Sequence, residues 1–469
     1  MHSVPVRASR TALRQAGALV ALALLSGCVR YTPRPVDPVA LVKALPVFDA
    51  VAVDTETLRL APSATILPGR WDRLRLFASA MLYNRDIAAA RAAVATAQAG
   101  ARAVRAAAGP TLTLSSEYAG AATESSPWLF GAGLDIPLDL GGRRRTRLDS
   151  AALSVEVARY DLAEAIWIAR MTIRRALAAR MIADRQTVLL AEGVSLRRRQ
   201  FAAMQRRVAA GEATRAELER VRLDLTDVER RALEAKAQGD AATATLGAVT
   251  GVPIGMLAGS LIWDAFEAPT LRVALFADAR VAALVGRADV LKAVAAYDGS
   301  ENDLRGEVAK QFPAISIAPG YTWERGLVKL PFNIGLALPP LDLNRRAILA
   351  AEARRTEAGA RLEAVLATAS AALTSAEFEL AASRAALERT RSADLIAARR
   401  LARQADNEIS AGAIDRTEWA AAQGGLLTVR LAELDALART QTAIAALEDA
   451  SRRLLEGPEM AIMTGGSAR

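Results

Sequence analysis

Histidine and cysteine are almost absent from this chain of 469 residues, since the single His is His2 and the single Cys is Cys28. Their scarcity excludes Ser-His-Asp triads, Cys-His nucleophiles, zinc sites built on His or Cys, and a disulfide within the chain. The sequence also contains no Gly-Lys-Ser/Thr phosphate loop. We therefore expect the protein not to be an enzyme, and we expect neither a cofactor nor a metal site.

Aromatic residues make up only 4% of the chain, whereas roughly a fifth of all residues are Ala. At 52% hydrophobic residues, disorder is not expected, and the balance favours long helices packed through small side chains. The net charge of +9 comes from Arg, because Lys is rare. Since no basic block is interleaved with aromatic residues, solvated helix faces explain this charge better than nucleic acid binding does.

The amino terminus has the pattern of an export signal. Three Arg residues between positions 7 and 14 precede an apolar run from Ala16 to Leu25, which is too short to span a bilayer. The following Leu25-Ser26-Gly27-Cys28 resembles a bacterial lipobox, in which the Cys is acylated and becomes the first residue. The alternative is an ordinary signal peptide with an incidental Cys. Val29, instead of Asp, at the next position implies sorting to the outer membrane.

The sequence repeats itself at an offset of 203 residues. Asn84-Arg85-Asp86-Ile87 corresponds to Arg287-Ala288-Asp289-Val290, and Pro137-Leu138-Asp139-Leu140 recurs as Pro340-Leu341-Asp342-Leu343. Further pairs at this offset are Pro110 with Pro313, Tyr118 with Tyr321, and Arg143 with Arg346. Agreement at one offset over about 60 residues indicates an internal duplication.

Each copy contains a long window without proline, from Pro137 to Pro253 and from Pro340 to Pro458. Both windows are rich in Ala, Leu, Arg and Glu, as very long helices require. Apolar residues of the first window recur close to the helical period, and one helix from Arg143 to Val208 would be about 100 Å long. Each window is interrupted once, at Gly211 and at Gly412, where Gly can end a helix in the left-handed conformation. Each window is therefore predicted to be a helical hairpin.

Two short alternating runs precede each helical hairpin and follow a first helix, predicted at about 72–108 and 274–311. The runs Thr111–Ser115 and Ala314–Ile317 have predicted partner strands at Leu129–Ile136 and Leu330–Leu338. This patterning suits transmembrane β-strands, while the alternative is a soluble β-hairpin that caps a coiled coil. Four strands cannot close a pore, so membrane strands would require an oligomer.

This combination of lipobox, duplicated β-hairpin, Pro-Leu-Asp-Leu junction and long helical hairpin resembles the TolC-like outer membrane efflux proteins. The resemblance extends from about residue 70 to residue 455. It implies an α+β membrane protein in which three chains, with four transmembrane strands each, build a trimeric 12-stranded β-barrel above an α-helical periplasmic tunnel.

The predicted organisation divides the chain into six parts. They are a signal peptide (1–27), a lipidated tether (28–70), a first repeat (71–253), a connector (254–273), a second repeat (274–457) and a C-terminal tail (458–469).

The hairpin tips are the candidate site, because the resemblance places the periplasmic gate and the adaptor contact there. The residues that match the family's tip pattern are Gly211, Thr214, Glu217, Gly412, Asp415 and Glu418. Carboxylates on the first turn of the returning helix are stabilised by its positive end, and threefold symmetry would arrange them in acidic rings. The alternative is that Thr214 and Asp415 are simple N-caps and that the glutamates are solvated.

The sequence therefore predicts the outer membrane channel component of a tripartite efflux system, which passively conducts small molecules or ions. Its implied partners are two further copies of itself, a periplasmic adaptor, an inner-membrane pump that supplies the energy, and outer membrane lipids. We expect a lipid-anchored protein of a Gram-negative outer membrane that extends into the periplasm. The alternatives are the outer membrane duct of a polypeptide secretion system and a non-pore coiled-coil scaffold lipoprotein.

Overall fold

The computed structural model describes residues 31–43, 47–106, 109–118, 127–138, 141–268, 277–324 and 327–465. The chain divides into one unit that ends at Phe48 and a second unit that begins at Asp49. In the described part of the first unit, helix α1 (Pro38–Lys43) exposes all its side chains.

The described part of the second unit contains very long helices, several short ones and a small sheet. The elements up to the end of the first repeat are α2 (Ala50–Leu60), α3 (Arg73–Tyr83), α4 (Arg85–Val104), β1 (Thr111–Tyr118), β2 (Trp128–Leu138), α5 (Arg143–Ala209), α6 (Arg215–Thr250) and α7 (Ile254–Leu257). The second repeat contains α8 (Ala277–Val285), α9 (Ala288–Ala309), β3 (Ala314–Glu324), β4 (Leu327–Lys329), β5 (Phe332–Ala337), α10 (Arg345–Arg389), a π-helical segment (Thr390–Asp394), α11 (Leu395–Ser410) and α12 (Arg416–Ser451). Helix α13 (Met460–Gly465) follows.

The structure has the internal duplication that the sequence predicts. Helices α4 and α9, and likewise β1 and β3, occupy corresponding places in the two repeats, and α6 and α12 are both 36 residues long. Helix α5 runs for 67 residues without interruption, and it ends one residue beyond the predicted Val208. In the second repeat, α10, the π-helical segment and α11 together correspond to α5 and follow one another without a loop.

The first helix of each repeat is broken in two, which corrects the prediction of single helices at 72–108 and 274–311. The break after α3 is at Asn84, whose side chain accepts from the Ile87 amide and donates to the Val249 carbonyl over 2.9 Å. At the corresponding break, Arg287 donates to the Ala450 carbonyl over 2.5 Å. Each break therefore ties the first helix to the end of the last long helix of its own repeat.

Helix α2 lies within residues 28–70, the interval predicted to be a tether. Its Val53 and Thr57 are buried one turn apart, and Asp54 pairs with Arg75 of α3 over 2.7 Å. This amphipathic spacing packs the helix against α3. The packed part of the chain thus begins before residue 71.

The sheet is antiparallel and joins the two repeats. β2 pairs with β1 on one side and with β3 on the other, and β3 then pairs with both β4 and β5. The strand expected from Leu330 to Leu338 is shorter in the structure, where β5 begins at Phe332 after Pro331, because proline has no amide hydrogen for the ladder. The short strand β4 precedes the expected range. The Pro331 carbonyl still accepts from Gly320 over 2.7 Å.

The strands expose an apolar surface and carry aromatic rings at the end distant from the long helices. Leu112, Leu114 and Ile334 are between 62% and 73% exposed. The Tyr118 and Trp128 ring centroids are 4.9 Å apart, and Phe130 and Trp323 continue this aromatic row.

Among the residues described, no helix combines the length and the apolar character needed to cross a membrane.

A buried ion-pair cluster, named here the Arg–Glu cluster, lies where α3, α5, α12 and the C-terminal segment meet. Its members are Arg73, Arg170, Arg174, Glu448, Glu456 and Glu459, each at most 6% exposed. Arg174 contacts Glu448 at 2.9 Å and Glu456 at 2.8 Å, while Arg73 contacts Glu459 at 3.3 Å. Three guanidinium groups are thus balanced by three carboxylates, as burial of charge requires.

Trp263 covers the Arg–Glu cluster from the segment predicted to be a connector. The Arg73 guanidinium carbon lies 4.3 Å from its ring centroid, and that of Arg174 lies 5.3 Å away. Burial lowers the pKa of Arg174, and Glu448 opposes this effect. The connector and the C-terminal segment are therefore part of the packed core.

Candidate functional site at the hairpin tips

The first hairpin tip is a tight turn between α5 and α6. Gly211 has φ +76°, a left-handed conformation that strains residues with a Cβ. The amide of Gly211 donates to the Val208 carbonyl over 3.1 Å, and that of Glu212 donates to the Arg207 carbonyl over 2.8 Å. These bonds satisfy carbonyls at the end of α5 and stop the helix.

Thr214 and Glu217 form a capping box at the start of α6. The Glu217 amide donates to the Thr214 hydroxyl oxygen over 3.2 Å, and the Thr214 amide donates to the Glu217 carboxylate over 2.7 Å. Hydrogen bonds from the Thr214 amide and hydroxyl lower the pKa of Glu217. The Glu217 carboxylate is exposed, but it is committed to its own helix end.

The second hairpin tip has the same turn with different cap chemistry. Gly412 has φ +70°, and the Ala413 amide donates to the Glu408 carbonyl over 2.8 Å. The Asp415 carboxylate accepts from the amides of Thr417 and Glu418, over 2.7 and 2.8 Å. Asp415 is therefore the N-cap of α12, as the simpler sequence interpretation had it.

Glu418 differs from the other tip acids because its carboxylate is not engaged. It is exposed, and among the described residues its carboxylate forms no ion pair or hydrogen bond. An exposed, uncommitted carboxylate one turn into α12 is available to a solute or to a partner protein.

A groove of about 1030 Å³ lies between the two tips, bounded by the ends of α5 and α11 and the start of α12. Its wall contains Arg206, Arg207, Asp406, Asp415 and Trp419. The Trp419 indole donates to Asp406 over 2.7 Å, which fixes the ring against α11. Of the six predicted tip residues, only Asp415 is part of this wall.

The basic side of the groove was not predicted from the sequence. Arg206 and Arg207 lie in the last turn of α5. The partial negative charge of the carbonyls at this end of the helix favours positively charged side chains. The pair of adjacent Arg residues shortly before Gly211 was the sequence feature that could have predicted this basic side. Cys28, the predicted lipidation site, lies outside the described residues.

A sequence model of the outer membrane efflux protein family matches residues 76–252 and 279–451, which include both long helical hairpins. This chain belongs to the outer membrane efflux protein family. The family and the function predicted from the sequence are confirmed, since members are outer membrane channel components of efflux systems.

Solved structures share the fold of this efflux protein. A membrane protein from Pseudomonas aeruginosa is 20% identical with a TM-score of 0.69, and the match covers 90% of this chain and 99% of that one. The outer membrane protein VceC from Vibrio cholerae is 18% identical with a TM-score of 0.65, covering 81% and 95%. The Campylobacter jejuni CmeC outer membrane channel is 14% identical with a TM-score of 0.67, covering 84% and 89%. Comparison with curated proteins gives no significant match.

Proposed function

We propose that three copies of this efflux protein form a passive conduit for small molecules or ions across the periplasm and the outer membrane. The observation that carries the proposal is the pair of open sheet edges in the described part of the chain. β1 lies at one edge, and β4 and β5 together occupy the fourth strand position at the other, beside β3. Pairing β1 of one copy with β5 of the next would close a ring of twelve strand positions. Closure satisfies edge amides and carbonyls that hydrocarbon would leave unpaired.

The surface of the sheet supports its insertion in a membrane. Its exposed Leu and Ile side chains form an apolar band, and the aromatic row from Tyr118 to Trp323 lies at one end. Aromatic side chains prefer the boundary between headgroups and hydrocarbon. Helix α5 is about 100 Å long at 1.5 Å per residue, so the helices reach far from the sheet.

The tips form the periplasmic entrance in this proposal. Gly211 and Gly412 make the turns, the Thr214–Glu217 box and Asp415 hold the returning helices, and Glu418 supplies a free carboxylate that threefold symmetry would repeat. Such a ring attracts cations and repels anions. The groove beside Trp419 is the proposed contact for a periplasmic adaptor protein.

The proposal also includes a lipid anchor at Cys28 and an external source of energy for transport. Acylation of Cys28 would add a lipid anchor in the outer membrane, although one chain contributes modest affinity beside a closed barrel. Because the sequence has no phosphate loop, the energy for transport comes from an inner-membrane pump.

The test measures assembly and conductance of the full-length protein. In detergent, we expect a trimer by light scattering, and in planar bilayers we expect cation-selective conductance. Glu418→Gln should reduce the cation preference while the mass stays that of a trimer. The matched control is Glu379→Gln, because Glu379 is also exposed on a long helix and, in the described structure, also lacks an ion pair.

Two outcomes would contradict the proposal in different ways. A monomer without conductance would overturn the conduit and favour the scaffold lipoprotein. A conducting trimer whose ion selectivity is unchanged by both Glu418→Gln and Glu418→Lys would overturn only the pore-lining role of Glu418.

A further inference from the structure

Exposed arginines gather where the helices meet the sheet. Arg102 and Arg105 close α4 just before β1, and Arg144 and Arg145 open α5 just after β2. In the second repeat Arg345 and Arg346 open α10 just after β5, and they are exposed as well. We name these six residues the arginine collar.

Four of the collar residues place positive charge where a helix is least suited to it, because Arg144 and Arg145 open α5 and Arg345 and Arg346 open α10. The first turns of α5 and α10 contain no acidic residue, and their N-cap residues Gly142 and Asn344 are left-handed and provide no side-chain cap. The positive end of a helix disfavours Arg and favours anions. By contrast, α6 and α12, which begin at the distant tips, carry Glu217 and Glu418 in their first turns.

The collar arginines have few anionic partners in the protein. Among the described residues, Arg102, Arg105, Arg144, Arg345 and Arg346 form no ion pair, and Arg144 donates only to the Arg105 carbonyl over 3.4 Å. Arg145 reaches Asp149 at 3.9 Å while it remains 87% exposed. Their charge is therefore available to an external anion.

A groove of about 870 Å³ runs between α4 and α5 at this level. Arg102, Arg105, Arg144 and Arg159 line it against the two acidic residues Asp149 and Glu156. The balance of charge in the groove is positive, and its volume accommodates a phosphate with its glycerol group.

The collar and the aromatic row lie at opposite ends of the apolar strands. The strands enter the sheet next to Arg105 and leave it next to Arg144, whereas Tyr118 and Trp128 lie at the far end. Exposed cations at three helix–sheet junctions, drawn from both repeats, match an extended anionic surface better than they match an isolated small anion.

We infer that the arginine collar binds the phosphate groups of anionic phospholipids in the periplasmic leaflet of the outer membrane. This inference rests on the proposed function, because it requires the strands to lie in the membrane. Clusters of four or more basic residues beside a membrane are suited to anionic headgroups. Binding of these headgroups by the collar would fix the depth of the strands in the membrane.

The test compares lipid binding by two variants of equal charge. The collar variant carries Arg102→Gln, Arg144→Gln, Arg345→Gln and Arg346→Gln. The control variant carries Arg215→Gln, Arg220→Gln, Arg399→Gln and Arg403→Gln, which are exposed and, within the described structure, also lack ion pairs. Native mass spectrometry of the full-length detergent-solubilised protein counts bound phosphatidylglycerol and phosphatidylcholine, with and without excess inorganic phosphate.

We expect wild type and the control variant to prefer phosphatidylglycerol several-fold, and the collar variant to lose that preference. An equal preference in wild type and the collar variant would overturn the inference. Displacement of phosphatidylglycerol by millimolar inorganic phosphate would also overturn it, because the site would then be one for free anions. Trimer mass and conductance are measured on the same samples. If the lipid preference does not depend on the collar but the protein is still a conducting trimer, the inference fails and the proposed function stands.

Discussion

Arg174 of α5 and Glu448 of α12 form an ion pair over 2.9 Å in which both side chains are completely buried. The two residues come from different repeats, so this pair joins the two helical hairpins. Glu448 also accepts from the Leu455 amide over 2.9 Å and thereby holds the chain that follows α12. The Arg–Glu cluster therefore fixes the long helices relative to one another far from the tips.

Removing the Glu448 charge should strongly destabilise the protein. Glu448→Gln leaves three buried guanidinium groups against two carboxylates, and loss of one partner in a buried pair costs about 3–5 kcal/mol. Chemical denaturation followed by circular dichroism measures the change.

The matched control for Glu448→Gln is Glu192→Gln. Glu192 pairs with Arg430 over 2.7 Å, also between α5 and α12, but the two side chains are 52% and 37% exposed. Such an exposed pair contributes less than about 1 kcal/mol. If Glu448→Gln and Glu192→Gln lower the free energy of unfolding equally, burial of the Arg–Glu cluster is energetically unimportant.

Gly457 should not accept a side chain without displacing its neighbours. Its φ is +95°, and a Cβ atom there would overlap the Arg73 guanidinium. Gly457→Ala is expected to displace Arg73 from Glu456 and Glu459 and to lower the thermal midpoint markedly. Gly100→Ala is the control, because a Cβ at Gly100 meets open space within α4, and this change should be neutral or stabilising by about 0.4–1 kcal/mol.

The capping role of Asp415 predicts a difference between two substitutions. Asp415→Ala should cost about 1 kcal/mol of local helix stability, whereas Asp415→Asn should cost much less because the amide oxygen can still accept from Thr417 and Glu418. Hydrogen exchange of the first amides of α12 measures both effects. If Ala and Asn at this position give the same exchange rates, the hydrogen bonds to Asp415 contribute nothing to the helix start.

Anchoring can be tested on Cys28. Because Cys28 is the only thiol in the chain, Cys28→Ser should abolish palmitate incorporation and leave an uncleaved or differently cleaved precursor. Metabolic labelling followed by electrophoresis measures both outcomes. Unchanged labelling of the Ser variant would refute acylation at this residue.

Much of the architecture was predictable because it depends on local rules. The absence of proline and the tip glycines predicted the hairpins, and α5 ends within one residue of its expected boundary. The breaks at Asn84 and Arg287 were not predicted, since they depend on carbonyls of Val249 and Ala450 that are more than 160 residues away in the chain.

The Arg–Glu cluster and the groove beside Trp419 were missed for a similar reason. Arg174 and Glu448 are far apart in the sequence, and each resembles one of the many charges on solvated helix faces. Only the packing of α5 against α12 shows that these two are buried. At the tips, the residue types predicted the caps, but the structure was needed to show that Glu217 is engaged and that the Glu418 carboxylate is not.

The capping box at the first tip should weaken on acidification. The pKa of Glu217 is lowered in the folded protein by hydrogen bonds from Thr214, so its contribution to stability is fully present above the ordinary pKa of glutamate. The contribution is lost as the pH falls through the lowered pKa, because the protonated carboxyl is a weaker acceptor for the Thr214 amide. Hydrogen exchange at the start of α6 should therefore accelerate at acidic pH in wild type, after correction for intrinsic rates. Glu217→Gln should remove this pH dependence while Glu219→Gln keeps it, and a wild-type profile identical to that of Glu217→Gln would show that the carboxylate does not hold the tip.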